Sequence, residues 1–288
     1  LTGKQAIEVF ESLITADIQG LPNGSGSLTV FTNQQGGILD DLIVNRVSDD
    51  FLYIVSNAAC KEQDSGLIQS TVDTSKRHGK SVDVKFFDPL ERSLLALQGP
   101  GSAAALQPHV KIDLTKFFFM SSTALEIAGI KDCRLTRCGY TGEDGFEISI
   151  PDGHATFIAE ALLDSKTSNV KPAGLGARDS LRLEAGLCLY GSDIDTSTTP
   201  VEAALAWLVA KRRRAERNFP GAEIIMKQLE SGVTRRRVGI RMEKGPPARH
   251  GVKIFSNGNE IGEITSGSPS PSLGGNVGMG YVKEEFKK

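Results

Sequence analysis

The sequence lacks long hydrophobic runs, paired cysteines and clustered histidines. Its apolar stretches, such as Phe117 to Met120, are far shorter than the roughly 20 residues that a bilayer crossing requires. The 4 cysteines include no Cys-x-x-Cys pair and the 4 histidines lie far apart, which argues against a structural zinc site and a disulfide framework. We therefore expect no membrane span, no metal and a reducing compartment.

Neither sign of charge dominates. There are 33 lysines and arginines against 35 aspartates and glutamates, so the formal net charge is −2. Nucleic-acid-binding domains usually carry a strongly basic balance, and we expect no nucleic acid as partner. With 288 residues, of which 39% are hydrophobic, the chain is large enough to bury a sizeable core.

Hydrophobic periodicity predicts an α+β fold of antiparallel sheets and helices over residues 1–228. A capping box from Thr2 to Gln5 opens the first predicted helix. Further helices are predicted over residues 61–77, 155–163 and 177–187. Strands are predicted over residues 28–32, 38–46, 51–56, 82–87, 93–97, 124–128, 133–136 and 145–150.

Helical signals end near Gly232, and the remaining segments are typical of a second, smaller domain. Short strands are predicted over residues 237–242, 252–257, 260–265 and 277–282. We assign residues 229–288 to an all-β barrel domain that is truncated at Lys288. Because Leu1 is not a methionine and a capping box follows at once, we expect the chain to be a fragment, incomplete at both ends.

Asp40 and Asp41 interrupt an otherwise apolar strand. Side chains on a strand alternate between its faces, so one carboxylate shares a face with Ile38, Leu42 and Val44 and the other does not. A carboxylate against an apolar wall is costly unless it is partnered, which indicates a pocket. A structural ion pair or a half-exposed strand edge would give the same pattern.

A turn with three glycines, from Arg137 to Gly145, leads into a strand that carries Glu147. This carboxylate lies between Phe146 and Ile148, where it suits a ligand that offers paired N–H donors. The structural alternative is that Glu147 pairs with an arginine while the turn itself is solvated.

Arg178 follows a Gly-x-Gly segment that starts at Gly174 and precedes a predicted helix. The segment lacks the third glycine and the acidic residue of a dinucleotide-binding fold. Arg178 and Arg182 lie one helical turn apart, where they form either a paired cationic edge or part of a solvated face.

An arginine-rich run from Lys211 to Arg217 concentrates positive charge in a net acidic chain. Such a patch steers anionic partners, and we predict that Arg212, Arg213 and Arg214 dock a partner protein. An ordinary solvated surface is the alternative. The run lacks the interleaved aromatics that single-stranded nucleic acid would require.

Five segments, taken in order, resemble the T-protein of the glycine cleavage system, the aminomethyltransferase family. They cover essentially the whole chain, and the arginine run is similar to the eukaryotic, mitochondrial branch. The segments are Gly36 to Val44, Leu97 to Pro100, Arg137 to Gly145, Ala177 to Leu187 and Thr265 to Ser272.

The resemblance implies transfer of an aminomethyl group from the lipoyl arm of H-protein to tetrahydrofolate, with release of ammonia and formation of 5,10-methylenetetrahydrofolate. Asp41 matches the family position beside the reacting folate nitrogens, and Glu147 and Arg178 match positions that contact folate. Tyr140 and Asn57 are expected to line the pocket. No metal is implied, and the implied compartment is the mitochondrial matrix.

The family chain extends further at both ends and carries a folate-contacting tyrosine near its C-terminus, which this sequence does not reach. A relative of the same fold is the folate-binding iron–sulfur assembly protein, with a Lys-Gly-Cys-aromatic-x-Gly-Gln-Glu turn. Here the turn is Arg-Cys-Gly-Tyr-Thr-Gly-Glu-Asp from Arg137 to Asp144, which favours the transferase. The alternative function is therefore a non-catalytic folate-binding protein.

Overall fold

Antiparallel strands in three sheets form the framework of residues 1–243 and 245–287, the part of the chain that the computed structural model describes. The helices are α1 (Ala6–Glu11), α2 (Lys61–Arg77), α3 (Ser102–Leu106), α4 (Ala155–Leu163), α5 (Leu175–Glu184), α6 (Lys211–Glu216) and α7 (Ala222–Ser231). The strands are β1 (Ser25–Thr32), β2 (Ile38–Ser48), β3 (Phe51–Val55), β4 (Arg92–Gln98), β5 (Ser122–Ile127), β6 (Ile130–Thr136), β7 (Gly145–Pro151), β8 (Arg235–Met242), β9 (Lys253–Ser256), β10 (Asn259–Ser270) and β11 (Gly275–Lys283). This mixture of helices and antiparallel sheets confirms the predicted fold class.

The first sheet has the order β1-β2-β3 and packs against α1 and α2. The turn between β1 and β2 needs glycine twice, because Gly36 has a φ of +79° and a Cβ on Gly37 would lie 1.8 Å from the Thr196 carbonyl oxygen. Phe10 and Phe31 meet edge to face in the core beneath this sheet, with ring centroids 5.8 Å apart.

The second sheet has the order β4-β7-β6-β5 and is covered on one face by α3 and α4. Phe146, Ile148 and Ile150 alternate along β7 and are fully buried in the core on that face. Since strand side chains alternate, Glu147 lies on the opposite face, which looks towards the first sheet.

The third sheet has the order β8-β11-β10-β9 and contains all four strands predicted near the C-terminus. Helix α5 packs on β10 and β11 and connects this sheet to the rest of the fold. The predicted domain boundary between residues 228 and 229 falls inside α7 and stays a prediction.

Two local predictions are wrong. Helix α1 begins after Gln5 with no side-chain cap, because Thr2 instead forms bridges to Phe51 and Asp83. Residues 82–87 are not a strand, since only Asp83 finds a backbone partner there and no ladder forms. Helices α3, α6 and α7 were not predicted, and no helix within the described ranges is long and apolar enough to cross a bilayer.

Candidate active site

Strand β2 places its two aspartates on opposite faces. Asp40 lies on the face that carries Ile38, Leu42 and Val44, and it is fully buried. Asp41 lies on the other face with Ile43 and is half-buried, and Ile43 lines the gap between the first and second sheets. The predicted alternation is confirmed, and the structure adds which carboxylate shares the strand face that meets the second sheet.

Asn57 follows β3 and joins the two carboxylates. Its Nδ2 donates to Asp40 Oδ1 at 2.9 Å and lies 3.3 Å from Asp41 Oδ1. The same Nδ2 lies 3.0 Å from the Asp41 carbonyl oxygen, and the Asn57 backbone N–H donates to Asp40 Oδ2 at 3.2 Å. The amide of Asn57 therefore fixes Asp41 relative to a fully buried anchor.

The position of Asp41 shifts its titration into the neutral range. Burial, followed by the nearby charge of Asp40, raises its pKa to about 6, and the hydrogen bond from Asn57 opposes that shift. A carboxylate with such a pKa is charged above pH 6 yet remains a competent proton acceptor.

Glu147 and Thr136 from the second sheet, with Ile43 and Val55 from the first, enclose a small void of about 10 Å³. Burial raises the pKa of Glu147, whereas hydrogen bonding with Cys138 and the charge of Arg178 lower it. Glu147 lines this void from the second sheet, and Ile43, two residues from Asp41 on the same face of β2, lines it from the first.

Tyr140 and Arg178 contact each other near these carboxylates. The Arg178 guanidinium carbon lies 4.7 Å from the centroid of the Tyr140 ring, a cation–π contact. The Tyr140 hydroxyl donates to the Cys188 carbonyl oxygen, and burial raises the Tyr140 pKa, with a smaller contribution from the charge of Asp41. Of the five predicted residues, Asp41 and Asn57 are therefore joined by a hydrogen bond and Tyr140 and Arg178 by a cation–π contact, and the charge of Arg178 acts on Glu147.

Arg182 behaves differently from Arg178, although it lies one turn further along α5. It is almost fully buried and forms an ion pair with Asp193, so neither the cationic edge nor the solvated face was a correct prediction for it. Its Nη2 also donates to Ser266 Oγ on β10 at 3.0 Å. These contacts fix the helix that carries Arg178 to the third sheet.

Sequence reasoning also missed Asp64, a buried carboxyl group behind Asp40. Burial and the neighbouring Asp40 raise the pKa of Asp64. A signal was present, because Asp64, Ile68 and Val72 follow one another at four-residue spacing and form the buried stripe of α2. A carboxyl group in an apolar stripe is costly to bury unless a hydrogen bond or an opposite charge compensates it.

The arginine run is not the exposed patch that was predicted. Arg213 is buried and donates to the carbonyl oxygens of Glu11 and Ile14, and Arg214 donates to two carbonyl oxygens of its own segment. Arg212 is half-buried between Glu11, Asp17 and Glu216. Most of this charge is therefore used within the chain, and a docking role for the run stays a prediction.

Arg212 and Arg213 also line a wider cleft of about 660 Å³ beside α1. Charges of both signs line this cleft, and several of them already pair with each other, among them Lys80 with Glu8. We place the candidate site around Asp41 and Glu147, because burial raises the pKa of both and neither forms an ion pair within residues 1–243 and 245–287.

Neither a metal site nor a disulfide is present among residues 1–243 and 245–287. This part of the chain holds no cluster of three or more His, Cys, Asp or Glu side chains placed to bind a metal ion. The four cysteines are free, and Cys133 and Cys138 are buried as predicted.

Comparison with known families gives two matches that together span most of the chain. A family model described as "GCVT N-terminal domain" matches residues 1–213. A second, described as "Glycine cleavage T-protein C-terminal barrel domain", matches residues 235–288.

Two curated relatives match this chain over nearly all of its length. The chain is 51% identical over 288 residues to "Aminomethyltransferase, mitochondrial" of Homo sapiens, with 100% of this chain and 70% of the relative covered. It is 52% identical over 283 residues to the protein of the same name from Solanum tuberosum, with 98% and 69% covered.

A solved structure has the same fold throughout. The crystal structure of glycine cleavage system aminomethyltransferase T from Bartonella henselae superposes with a TM-score of 0.86 at 38% sequence identity. The match covers 100% of this chain and 76% of the bacterial one.

Proposed function

Because this chain belongs to the aminomethyltransferase family, the T-proteins of the glycine cleavage system, we propose that the gap around Asp41 is where it transfers one carbon to tetrahydrofolate. The chain is an aminomethyltransferase of the glycine cleavage system, and tetrahydrofolate is the substrate of the family. Its compartment is the mitochondrial matrix.

The proposed donor is an aminomethyl group on the lipoyl arm of H-protein. The carbon–sulfur bond breaks with its electron pair left on sulfur, and a folate nitrogen forms a bond to the same carbon. Loss of ammonia and attack by the second folate nitrogen then give 5,10-methylenetetrahydrofolate. Positive charge develops on the transferred carbon and on the attacking nitrogen, which must also lose its proton.

A fixed negative charge beside this carbon stabilises the developing cation. Asp41 supplies it, since its half-buried carboxylate is held by the Asn57 amide at 3.3 Å. With a pKa of about 6, Asp41 is ionised at neutral pH and is also basic enough to accept the proton that the nucleophile releases.

Glu147, Tyr140 and Arg178 are proposed to bind folate. A pterin offers a ring N–H beside an exocyclic amine, and one carboxylate accepts both donors. Glu147 is poised for this role, because it faces the gap with no arginine or lysine in ion-pair contact among the described residues. Arg178 is exposed beside Tyr140, where its charge is available to the folate carboxylates.

H-protein docking by the arginine run is proposed to involve Arg212 rather than Arg213. The Arg212 side chain keeps 28% of its surface exposed, whereas that of Arg213 keeps 1%. Long-range attraction requires a charge that reaches solvent, so of these two arginines Arg212 is the one that contributes to encounter.

The single observation that carries this proposal is that the Asn57 amide, held by the fully buried Asp40, also contacts the Asp41 carboxylate. Asp41→Asn keeps the shape and removes the charge, so turnover is expected to fall by roughly 10²–10⁴ while folate affinity changes far less. Ammonia release from aminomethylated H-protein and calorimetric titration with tetrahydrofolate measure the two effects. A wild-type chain that binds folate and releases no ammonia would instead be a non-catalytic folate-binding protein.

A further inference from the structure

A fully buried carboxylate lies directly behind the reacting one. Asp40 is 0% exposed, and its neighbours on the same face of β2 are apolar. A carboxylate in such surroundings is costly unless hydrogen bonds compensate, and an apolar side chain would fill the position at no such cost. The presence of an aspartate there therefore calls for a reason other than packing.

Both oxygens of Asp40 are used by one residue. Asp40 Oδ1 accepts from Asn57 Nδ2 at 2.9 Å and Oδ2 accepts from the Asn57 backbone N–H at 3.2 Å. This double contact fixes both the backbone and the side-chain amide of Asn57. The same amide reaches Asp41, so the orientation of Asp41 depends on Asp40 through one intermediate.

Asp64 is the second carboxyl group in this core and is 1% exposed. Its oxygens have no well-aligned hydrogen-bond partner in the described protein. Burial and the nearby Asp40 raise its pKa, and the side chains of Ser56 and Gln63 oppose that rise. Two ionised carboxylates offer only acceptors to each other, and one proton between them turns repulsion into a hydrogen bond. Because the Asp40 oxygens already accept N–H donors, the proton belongs on Asp64.

No opposite charge compensates the buried pair of Asp40 and Asp64 in the described part of the chain. Within residues 1–243 and 245–287, no lysine or arginine forms an ion pair with either carboxyl group. The other titratable groups near the pair are the Asp41 carboxyl group, which adds a further like charge, and the Cys60 thiol and Tyr190 hydroxyl, which are uncharged at neutral pH. A proton is therefore the remaining way to balance the pair.

We infer that Asp40 is a positioning residue of the transfer reaction, which acts through Asn57 to set the direction of the Asp41 carboxylate, while Asp64 carries the proton that the two buried carboxyl groups share. The inference rests on the proposed role of Asp41. It assigns a purpose to two buried aspartates that do not reach the gap themselves.

The first test compares the pH profile of kcat of the wild type with those of Asp40→Asn and Asn57→Ala. The groups near Asp41 are Asp40, Asn57, Tyr140, Cys60 and Cys188, and burial raises the pKa of the last three, so none of those three is charged at neutral pH. Asp40→Asn removes the like charge and should move the acid limb of kcat to lower pH. Asn57→Ala removes the hydrogen bond that favours charged Asp41 and should move it to higher pH.

Both variants should lower kcat by about tenfold or more at the optimum, with KM for tetrahydrofolate changed less than about threefold, because orientation rather than binding is lost. Asp73→Asn is the matched control, since Asp73 lies exposed on α2, away from the gap. The double variant Asp40→Asn/Asn57→Ala should lower kcat little more than either substitution alone, because both break the hydrogen-bonded connection from Asp40 through Asn57 to Asp41.

Infrared spectroscopy tests the proton directly. The protein should show the absorption of a buried protonated carboxyl group at neutral pH, and Asp64→Asn should remove that band while Asp73→Asn keeps it. This measurement needs no turnover, so it remains decisive if Asp40→Asn does not fold.

Two results would overturn the inference. One is an Asp40→Asn protein with the acid limb and kcat of the wild type, and the other is a carboxyl band that survives in Asp64→Asn. An active Asp41→Asn protein would instead reject the proposed function itself, so the two failures are distinguishable.

Discussion

Arg182 and Asp193 form an ion pair that is closed off from solvent, with 2% and 1% of the two residues exposed. Arg182 also donates to Asp179 and Ser266, and Asp193 also accepts from the Thr265 hydroxyl. The pair therefore connects α5, which carries Arg178, to β10 of the third sheet.

Loss of one partner of this pair should destabilise the whole chain. A buried charge left without its partner typically costs about 3–5 kcal/mol, so Asp193→Asn is expected to lower the free energy of unfolding by that order. Arg178→Met is the matched control, because Arg178 is exposed one turn away and should leave stability within about 0.5 kcal/mol of the wild type. Urea unfolding followed by circular dichroism measures both.

A small effect of Asp193→Asn would mean that Ser266 and Thr265 hold Arg182 adequately without the carboxylate. Arg178→Met should instead weaken folate binding, which separates the two arginines by function. Stability would then depend on Arg182 and affinity on Arg178.

The serines of β10 explain why the segment from Thr265 to Ser272 carries so many hydroxyl groups. Ser266, Ser268 and Ser270 alternate along the strand, are buried, and contact Arg182, Ser180 and Glu184 of α5 in turn. Sequence alone shows the serines but not the helix that they face. The partner lies more than 80 residues earlier in the chain, and no local pattern encodes that pairing.

The fold was largely predictable where periodicity is strong and local. The bounds of α2 and α4 were predicted correctly, and the strands of all three sheets were predicted within a few residues apart from the longer β10. The strand predicted over residues 82–87 failed because alternation alone does not provide a neighbouring strand.

The candidate site was only partly predictable. Alternation along β2 separated Asp40 from Asp41, but which face meets the second sheet depends on tertiary packing. The arginine run was predicted to be exposed, which was wrong for Arg213 because composition cannot distinguish a solvated arginine from a buried one. The Arg213 guanidinium donates to backbone carbonyl groups of α1 and of the residues after it.

Glu147 provides a test of folate binding. Glu147→Ala is expected to weaken tetrahydrofolate binding by roughly 2–5 kcal/mol, because paired donors on the ligand would lose their charged acceptor. Glu143→Ala is the control, since Glu143 is exposed in the preceding turn. Isothermal titration calorimetry should show the loss only for Glu147, and equal dissociation constants for both variants would remove Glu147 from the pocket.

Arg213 provides a test of the arginine run. Arg213→Ala is expected to lower the free energy of unfolding by about 2–4 kcal/mol, since it leaves buried carbonyl groups of Glu11 and Ile14 without a donor. Arg217→Ala, at an exposed position of the same run, should change stability by less than about 0.5 kcal/mol. Thermal unfolding at low and high salt checks this, and a salt-dependent loss of H-protein turnover with normal stability would favour docking instead.

Asp64 should make stability depend on pH. Its pKa is raised in the folded state by burial and by Asp40, so the folded chain binds this proton more tightly than the unfolded chain does. The contribution is therefore complete below the ordinary carboxyl pKa and is lost as pH rises through the folded pKa. Asp64→Asn should gain stability relative to the wild type between pH 5 and pH 8, by on the order of 1 kcal/mol or more.

Asp41 should set the acid limb of the reaction. Its pKa is raised to about 6, so below that pH the carboxyl group is protonated and has neither the charge nor the basicity that the transfer requires. We expect kcat to fall about tenfold per pH unit well below pH 6 and to level off above it. Asp41→Asn should have a lower rate and no limb at this position, because the titrating group is gone. Ammonia release measured from pH 5 to pH 8 at saturating tetrahydrofolate tests this. A limb that persists unchanged in Asp41→Asn would assign the titration to another group and leave Asp41 with a binding role alone.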